Sequence, residues 1–122
     1  MNFKIQKQDE YTIIKTNVEK LDTSVAPALK AELVILNSDG VKNIIIDMSN
    51  TLYCDSSGLS AILVANRLCK NANGFLVITG LHNTVKNLIS ISQLDSILII
   101  TSSVDEGIEL LKEKIEKNIN KD

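Results

Sequence analysis

Apolar residues recur along this chain with two spacings, and the spacing changes several times. The first residues, MNFKIQKQDEY, alternate polar and apolar, and residues 3–8 and 11–18 are predicted strands. Tyr11, Ile13, Ile14 and Val18 give the second of them β-favouring side chains. Little more than Gln8-Asp9-Glu10 separates the two, so an antiparallel hairpin is expected. From Thr23 to about Asn37 the spacing turns helical. Thr23 or Ser24 can cap this helix, and Pro27 sits in its first turn, where a missing N–H matters least. Asp39-Gly40 marks a turn, and NIIIDM (residues 43–48) is a continuous apolar run suited to a strand buried on both faces.

A second helix is predicted to run to about Asn71 and to end at Asn73-Gly74, followed by a second buried strand, FLVITG, over residues 75–80. Residues 82–92 fit a third helix with Val85, Leu88 and Ile89 on one face, and SILII (residues 96–100) is the last predicted strand. Ser103-x-x-Glu106 is a capping-box pattern ahead of a helix that turns Ile108, Leu111 and Ile115 inward. The order is two strands, then helix and strand alternating to the end. Such alternation implies parallel pairing through helical crossovers, with a short antiparallel edge at the start. The expected architecture is therefore α/β, a small mixed sheet of about five strands. With no linker, repeat or low-complexity stretch, residues 1–122 are read as a single domain.

Composition narrows the function classes. Thirteen basic and 15 acidic side chains give a net charge of −2, with no basic block for nucleic acid or a membrane surface. No apolar run approaches the roughly 20 residues that span a bilayer, and the first residues hold no signal-peptide core. A cytoplasmic, reduced location is expected. Cys54 and Cys69, with the single histidine His82, cannot supply a zinc constellation, so no metal or other cofactor is expected.

The chemistry concentrates in LYCDSSGLSAIL, residues 52–63. Asp55, Ser56 and Ser57 can each cap the second helix, but a cap needs only one side chain. A catalytic reading is poorly supported: residue 54 is Cys rather than the first Gly of Gly-x-Ser-x-Gly, and His82 is the one available imidazole base. No Walker loop or Gly-x-Gly-x-x-Gly is present to cradle a nucleotide phosphate. Phosphorylation fits better. A serine at a helix start would place about −1.5 to −2 charge at the positive helix end, opposed by Asp55. The expected result is an altered binding surface more than a refolded domain.

Along the second helix, Gly58, Ala61, Ile62, Ala65, Leu68 and Cys69 share one face and should pack on the sheet, with Cys69 acting as a small buried hydrophobe. Ser56, Ser60, Leu63, Arg67 and Lys70 form the opposite face. Leu63 is apolar amid polar neighbours, two turns from the Asp55-Ser56 entrance, and is a candidate for a partner surface.

Taken together, IIIDMSNTLYCDSSGLSAILVANRLCKNANGFLVITG resembles the central segment of a STAS domain of the anti-sigma factor antagonist type. The resemblance lies in the apolar strand ending in Asp-x-Ser, the Asp-Ser-Ser-Gly-Leu signature and the helix-Gly-strand continuation. Upstream, KLDTSVAPALKAEL is similar to the family's Leu-Asp start of the first helix, and the element order agrees along essentially the whole chain. The resemblance implies a sheet of four to five strands with about four helices packed on it, and a protein-binding module without catalysis of its own. It implies phosphorylation at Ser56, with Ser57 the other candidate acceptor. The implied partner is an anti-sigma factor that is itself an ATP-dependent serine kinase of histidine-kinase-like ATPase fold. The unphosphorylated form would bind it and release the sigma factor, phosphorylation would end binding, and a phosphatase would restore it. Asp22 matches the family's Leu-Asp aspartate near the partner surface; Asp55, Ser57, Gly58, Ser60 and Leu63 complete the expected partner-binding set. In one departure, Glu19 stands where a glycine commonly precedes the Leu-Asp pair. The alternative role is an unphosphorylated interaction subunit of a lipid-transport ABC complex or of a stressosome-type scaffold.

Overall fold

A computed structural model describes residues 2–119. Strands β1 (Phe3–Lys7) and β2 (Thr12–Thr16) form the expected antiparallel hairpin, with Ile5 opposite Ile14. Helix α1 (Ala26–Ser38) ends at Asp39-Gly40, and Gly40 takes the positive φ of 90° for which glycine is suited. Its start differs from expectation. Apolar Val25 occupies the cap position and offers no side-chain bond, since Ser24 is held in a turn at Asp22 and the Thr23 hydroxyl is turned to Ser57.

Strand β4 (Ile44–Asp47) is buried along its whole length, and two short elements on either side of it in the chain have no sequence signature of their own. Strand β3 (Lys20–Leu21) lies before α1 and strand β5 (Tyr53–Cys54) before α2 (Ser56–Asn71), and they pair in parallel as a separate two-stranded sheet. Asn73, at φ 64°, and Gly74 close α2, the Gly74 N–H donating to the Cys69 carbonyl at 2.7 Å. Strand β6 (Leu76–Thr79) and helix α3 (Asn83–Ile91) follow as expected. The last strand, β7, spans Ile99–Thr101 rather than 96–100. Gln93, at φ 61°, turns residues 94–96 into a 3-10 turn, which takes Ser96 out of the apolar run. Helix α4 (Val104–Ile119) opens on the expected Ser103 cap, with the Glu106 N–H donating to Ser103 Oγ at 3.2 Å, the first of the two bonds of a capping box.

The main sheet has the order β1-β2-β4-β6-β7, antiparallel at β1–β2 and parallel elsewhere. Each crossover adds its strand on the same side of the last, so handedness places the connecting helices α1, α2 and α3 on one face. Ile14, Ile44, Ile46, Leu76 and Ile78 meet Leu29, Leu33, Ile62, Ala65 and Val85 there. The opposite face would stay bare without α4, whose Leu111 packs on Ile45 and Val77, flanked by Ile108 and Ile115. The side chains of β4 and β6 thus divide between two cores with the strand period of two. Such strands are buried on both faces, as their unbroken apolar runs imply.

Candidate functional site

The two polar stretches at Asp22 and at Asp55 are 33 residues apart in the chain, and the β3–β5 pair joins them. Leu21 is in register with Cys54, so Asp22 and Asp55 leave the small sheet side by side at its end. The Leu52 and Tyr53 N–H groups both donate to the Glu19 carbonyl, at 2.8 and 3.1 Å, which fixes the approach. Position 19 is needed here for its backbone; the Glu19 side chain is exposed and its φ is not positive, so a glycine is not required.

Asp55 is the cap of α2. Its Oδ1 accepts from the Ser57 and Gly58 N–H groups at 2.9 and 3.0 Å, satisfying two donors that the first turn otherwise leaves open. Thr23 reaches across from the Asp22 side: its hydroxyl lies 3.5 Å from Asp55 Oδ2 and 3.2 Å from Ser57 Oγ. Asp22 in turn accepts from the Ser24 hydroxyl at 2.6 Å and the Ser24 N–H at 3.0 Å. These bonds, the hydroxyl's foremost, hold its carboxyl below the usual carboxylate range.

The two candidate serines are distinguished by this network. Ser57 is half-buried and its hydroxyl is bonded to Thr23, whereas Ser56 is exposed and its hydroxyl makes no bond among the described residues. Ser56 is the first residue of α2, so its Oγ stands at the positive end of the helix. A cleft of about 240 Å³ opens beside it, lined by Thr23, Ala26, Pro27 and Lys30 from one side and Ser56, Ser57 and Ser60 from the other.

Gly58 lies beneath the loop rather than on its surface. A Cβ there would run into the Leu21 carbonyl oxygen and lie 2.7 Å from Cys54 Sγ. The signature glycine is therefore required by the close approach of α2 to β3, and it shapes the surface only from below. Leu63 is half-buried one turn beyond Ser60, outside the cleft. The inward face of α2 comprises Gly58, Ala61, Ile62, Ala65 and Cys69 as expected, with Leu59 buried on its flank and Leu68 only partly covered.

Sequence reasoning missed Thr23 as a link between the two stretches, Lys30 as the cation of the cleft, and the exposed pair Leu52 and Tyr53. Lys30 could have been placed from its spacing, since it follows Ala26 and Pro27 by four and three residues and so shares their helix face. His82 is elsewhere: its Nε2–H donates to the Ser49 carbonyl at 2.7 Å, and it has no bond to Ser56 or Ser57 among the described residues. Burial pushes the Cys54 and Cys69 thiols up to about 12, with the Asp55 charge adding to the effect on Cys54, so neither is a ready nucleophile. Among the described residues, no three His, Cys, Asp or Glu side chains gather to hold a metal ion, and no helix is long and apolar enough to cross a membrane.

Known proteins are similar to this chain in sequence and in fold. The family model for the STAS domain matches residues 2–107. A relative from Staphylococcus aureus, the anti-sigma-B factor antagonist, is 26% identical over 110 residues, covering 90% of this chain and 97% of the relative. A Thermotoga maritima structure, provisionally described as an anti-sigma factor antagonist, superposes with a TM-score of 0.84 at 22% identity, over 90% of this chain and 94% of that one. The Bacillus cell fate determinant SpoIIAA, solved in a phosphorylated form, superposes with a TM-score of 0.70 at 20% identity, over 88% and 96% of the two chains. These two structures share the fold of this chain.

Proposed function

The chain belongs to the STAS domain family, and from that premise we propose that it is an anti-sigma factor antagonist switched by phosphorylation of Ser56. In this reading the unphosphorylated protein binds an anti-sigma factor and frees the sigma factor held by it. That anti-sigma factor is a serine kinase of histidine-kinase-like ATPase fold, and it ends the complex by transferring a phosphoryl group to Ser56. A phosphatase reverses the modification, and the whole cycle runs in the cytoplasm. The protein itself is a binding module with no catalysis of its own.

The observation that carries the proposal is the unequal state of the two serines: Ser56 is exposed and unbonded among the described residues, while Ser57 is tied to Thr23. Support also comes from the name of the Staphylococcus aureus relative and from the phosphorylated form in which a protein of the same fold was solved. The partner surface in this reading takes in Asp22, Asp55, Ser57 and Ser60, with Gly58 setting their height and Leu63 at the margin. Leu52 and Tyr53, each 45% exposed and four and three residues before Ser56 in the chain, add the apolar contact that polar groups alone do not supply.

Peptide mass spectrometry on the protein from its own cells, in growth and in stress, tests the switch. A phosphate on Ser56 that changes between conditions is the expected result. Pull-downs should then recover the kinase with Ser56→Ala and lose it with Ser56→Asp. An unmodified Ser56 in every condition would overturn the switch and leave the unphosphorylated interaction module, with an ABC-type ATPase or a scaffold as the partner to look for.

A further inference from the structure

A phosphate on Ser56 meets a problem that the helix start cannot solve. Three of the four first-turn donors are already engaged, leaving only the N–H of Ser56 itself: Asp55 Oδ1 holds the Ser57 and Gly58 N–H groups, and the Asp55 carbonyl holds that of Leu59 at 3.0 Å. The same carboxylate that caps the helix would repel the incoming dianion, and Asp22 stands at the end of the neighbouring strand. A group of about −1.5 to −2 charge therefore needs a cation from another element.

The cleft beside Ser56 supplies one. Its walls carry no carboxylate, only the hydroxyl side chains of Thr23, Ser56, Ser57 and Ser60, the small apolar Ala26 and Pro27, and Lys30. Lys30 is half-buried on the second turn of α1, and it joins no ion pair among the described residues. Its ammonium has a flexible four-carbon stem, which suits a point-charge partner for a phosphate.

Resting on the phosphorylation proposed above, we infer that Lys30 is the counter-ion of phosphorylated Ser56 and that the α1–α2 cleft is the seat of the phosphate. Ser60, one turn along α2 from Ser56, and the Thr23–Ser57 hydroxyl pair complete a polar lining for its oxygens. A phosphate held in this way bridges α2 to α1. It closes the cleft to a partner as well as changing its charge, so the off state is a covered surface and not only a repulsive one.

Genetic encoding of phosphoserine at position 56 of the full chain allows the test without a kinase. Phosphorus NMR then follows the second ionisation of the phosphate, near pH 6 for a free phosphoserine, in the parent and in Lys30→Met, Lys30→Arg and Lys112→Met variants. Lys112 is exposed on α4, across the sheet, and serves as the control for net charge. Lys30→Met is expected to raise the midpoint by several tenths of a pH unit, roughly a two- to threefold change in proton affinity. Lys30→Arg should keep the parent midpoint and Lys112→Met should not move it. Equal midpoints in the parent and Lys30→Met, or an equal rise in Lys112→Met, would overturn the inference. Because the phosphate is installed by encoding, this result is independent of whether cells ever phosphorylate Ser56.

Discussion

Replacing Gly58 with alanine adds one methyl group at the third position of α2. The new Cβ would enter the space of the Leu21 carbonyl oxygen, with Cys54 Sγ at 2.7 Å and Leu21 Cγ at 3.0 Å. The backbone φ of Gly58 is not in the positive range, so the cost comes from the clash and not from conformational strain. In an open helix the same change would stabilise by up to about 1 kcal/mol, because alanine loses less backbone freedom. Overpacking a tight contact costs about 1–3 kcal/mol, and the upper end applies where the neighbour is backbone. The Leu21 backbone cannot simply retreat, since β3 is paired with β5 and the Leu21 carbonyl accepts from the Asp55 N–H at 3.4 Å. The net expectation is a loss of about 2 kcal/mol, on the order of 8 °C in Tm for a domain of this size. Urea and thermal unfolding of the parent and the variant measure it. Cys54→Ala in the Gly58→Ala background should recover only part of the loss, because it relieves the sulfur contact and leaves the carbonyl one. A Gly58→Ala protein as stable as the parent would refute the close-approach reasoning, and the glycine would then need an explanation at the surface.

Three further expectations concern the same corner of the molecule. Asp55→Ala should cost about 1–2 kcal/mol in urea unfolding as the α2 cap is lost, with Asp55→Asn losing less; equal stability of parent and alanine variant would remove Asp55 as the cap. Both thiols, raised to about 12 by burial, should resist a thiol-reactive disulfide reagent at pH 8 in the folded protein and react together on unfolding, whereas fast labelling of the folded state would contradict their burial. The Asp22 carboxyl lies below its ordinary value of 3.8, so what its charged form contributes is complete above that pH and is lost as pH falls through the lower folded value. The Ser24 amide resonance should report a midpoint under 3.8 that moves up in Ser24→Ala, and a parent midpoint at or above 3.8 would contradict the turn described at Asp22.

Elements with a sustained period were legible from the sequence, because burial on two faces or on one helical stripe leaves a mark at every position. Residues 43–48, 75–80 and the second helix are of this kind, and so is the Ser103 cap. Strands β3 and β5 were not, since two residues carry no period, yet they are what joins Asp22 to Asp55. The start of α1 was misplaced for a related reason. Thr23 and Ser24 have the composition of caps, but Asp22 draws Ser24 into a turn and Thr23 turns toward Ser57, so the helix begins later. The last strand was shifted because Ile97 and Leu98 extend an apolar run through a segment that folds as a 3-10 turn and its exit. Of the site, the motif residues were readable one by one, and Ser56 could be set above Ser57 only through a resemblance. Their unequal bonding appears only when Thr23 arrives from 34 residues away.

That long-range bond also bears on how the proposed switch would act without unfolding the domain. Every neighbour of Ser56 is committed to the scaffold: Asp55 to the cap, Ser57 to Thr23, and Gly58 to the contact with Leu21. Ser56 alone in that run has a side chain with no structural duty among the described residues, so a charge placed on it removes no bond that holds α2 to β3. The two electrostatic effects on that charge, attraction to the helix end and repulsion from Asp55, have opposite signs and comparable range. With the Ser57, Gly58 and Leu59 N–H groups already engaged, the helix end does not seat the phosphate by itself, and the proposed partner for it is Lys30 across the cleft. A rigid frame with one uncommitted hydroxyl therefore suits the phosphorylation proposed for Ser56, and the signature glycine serves that frame from beneath.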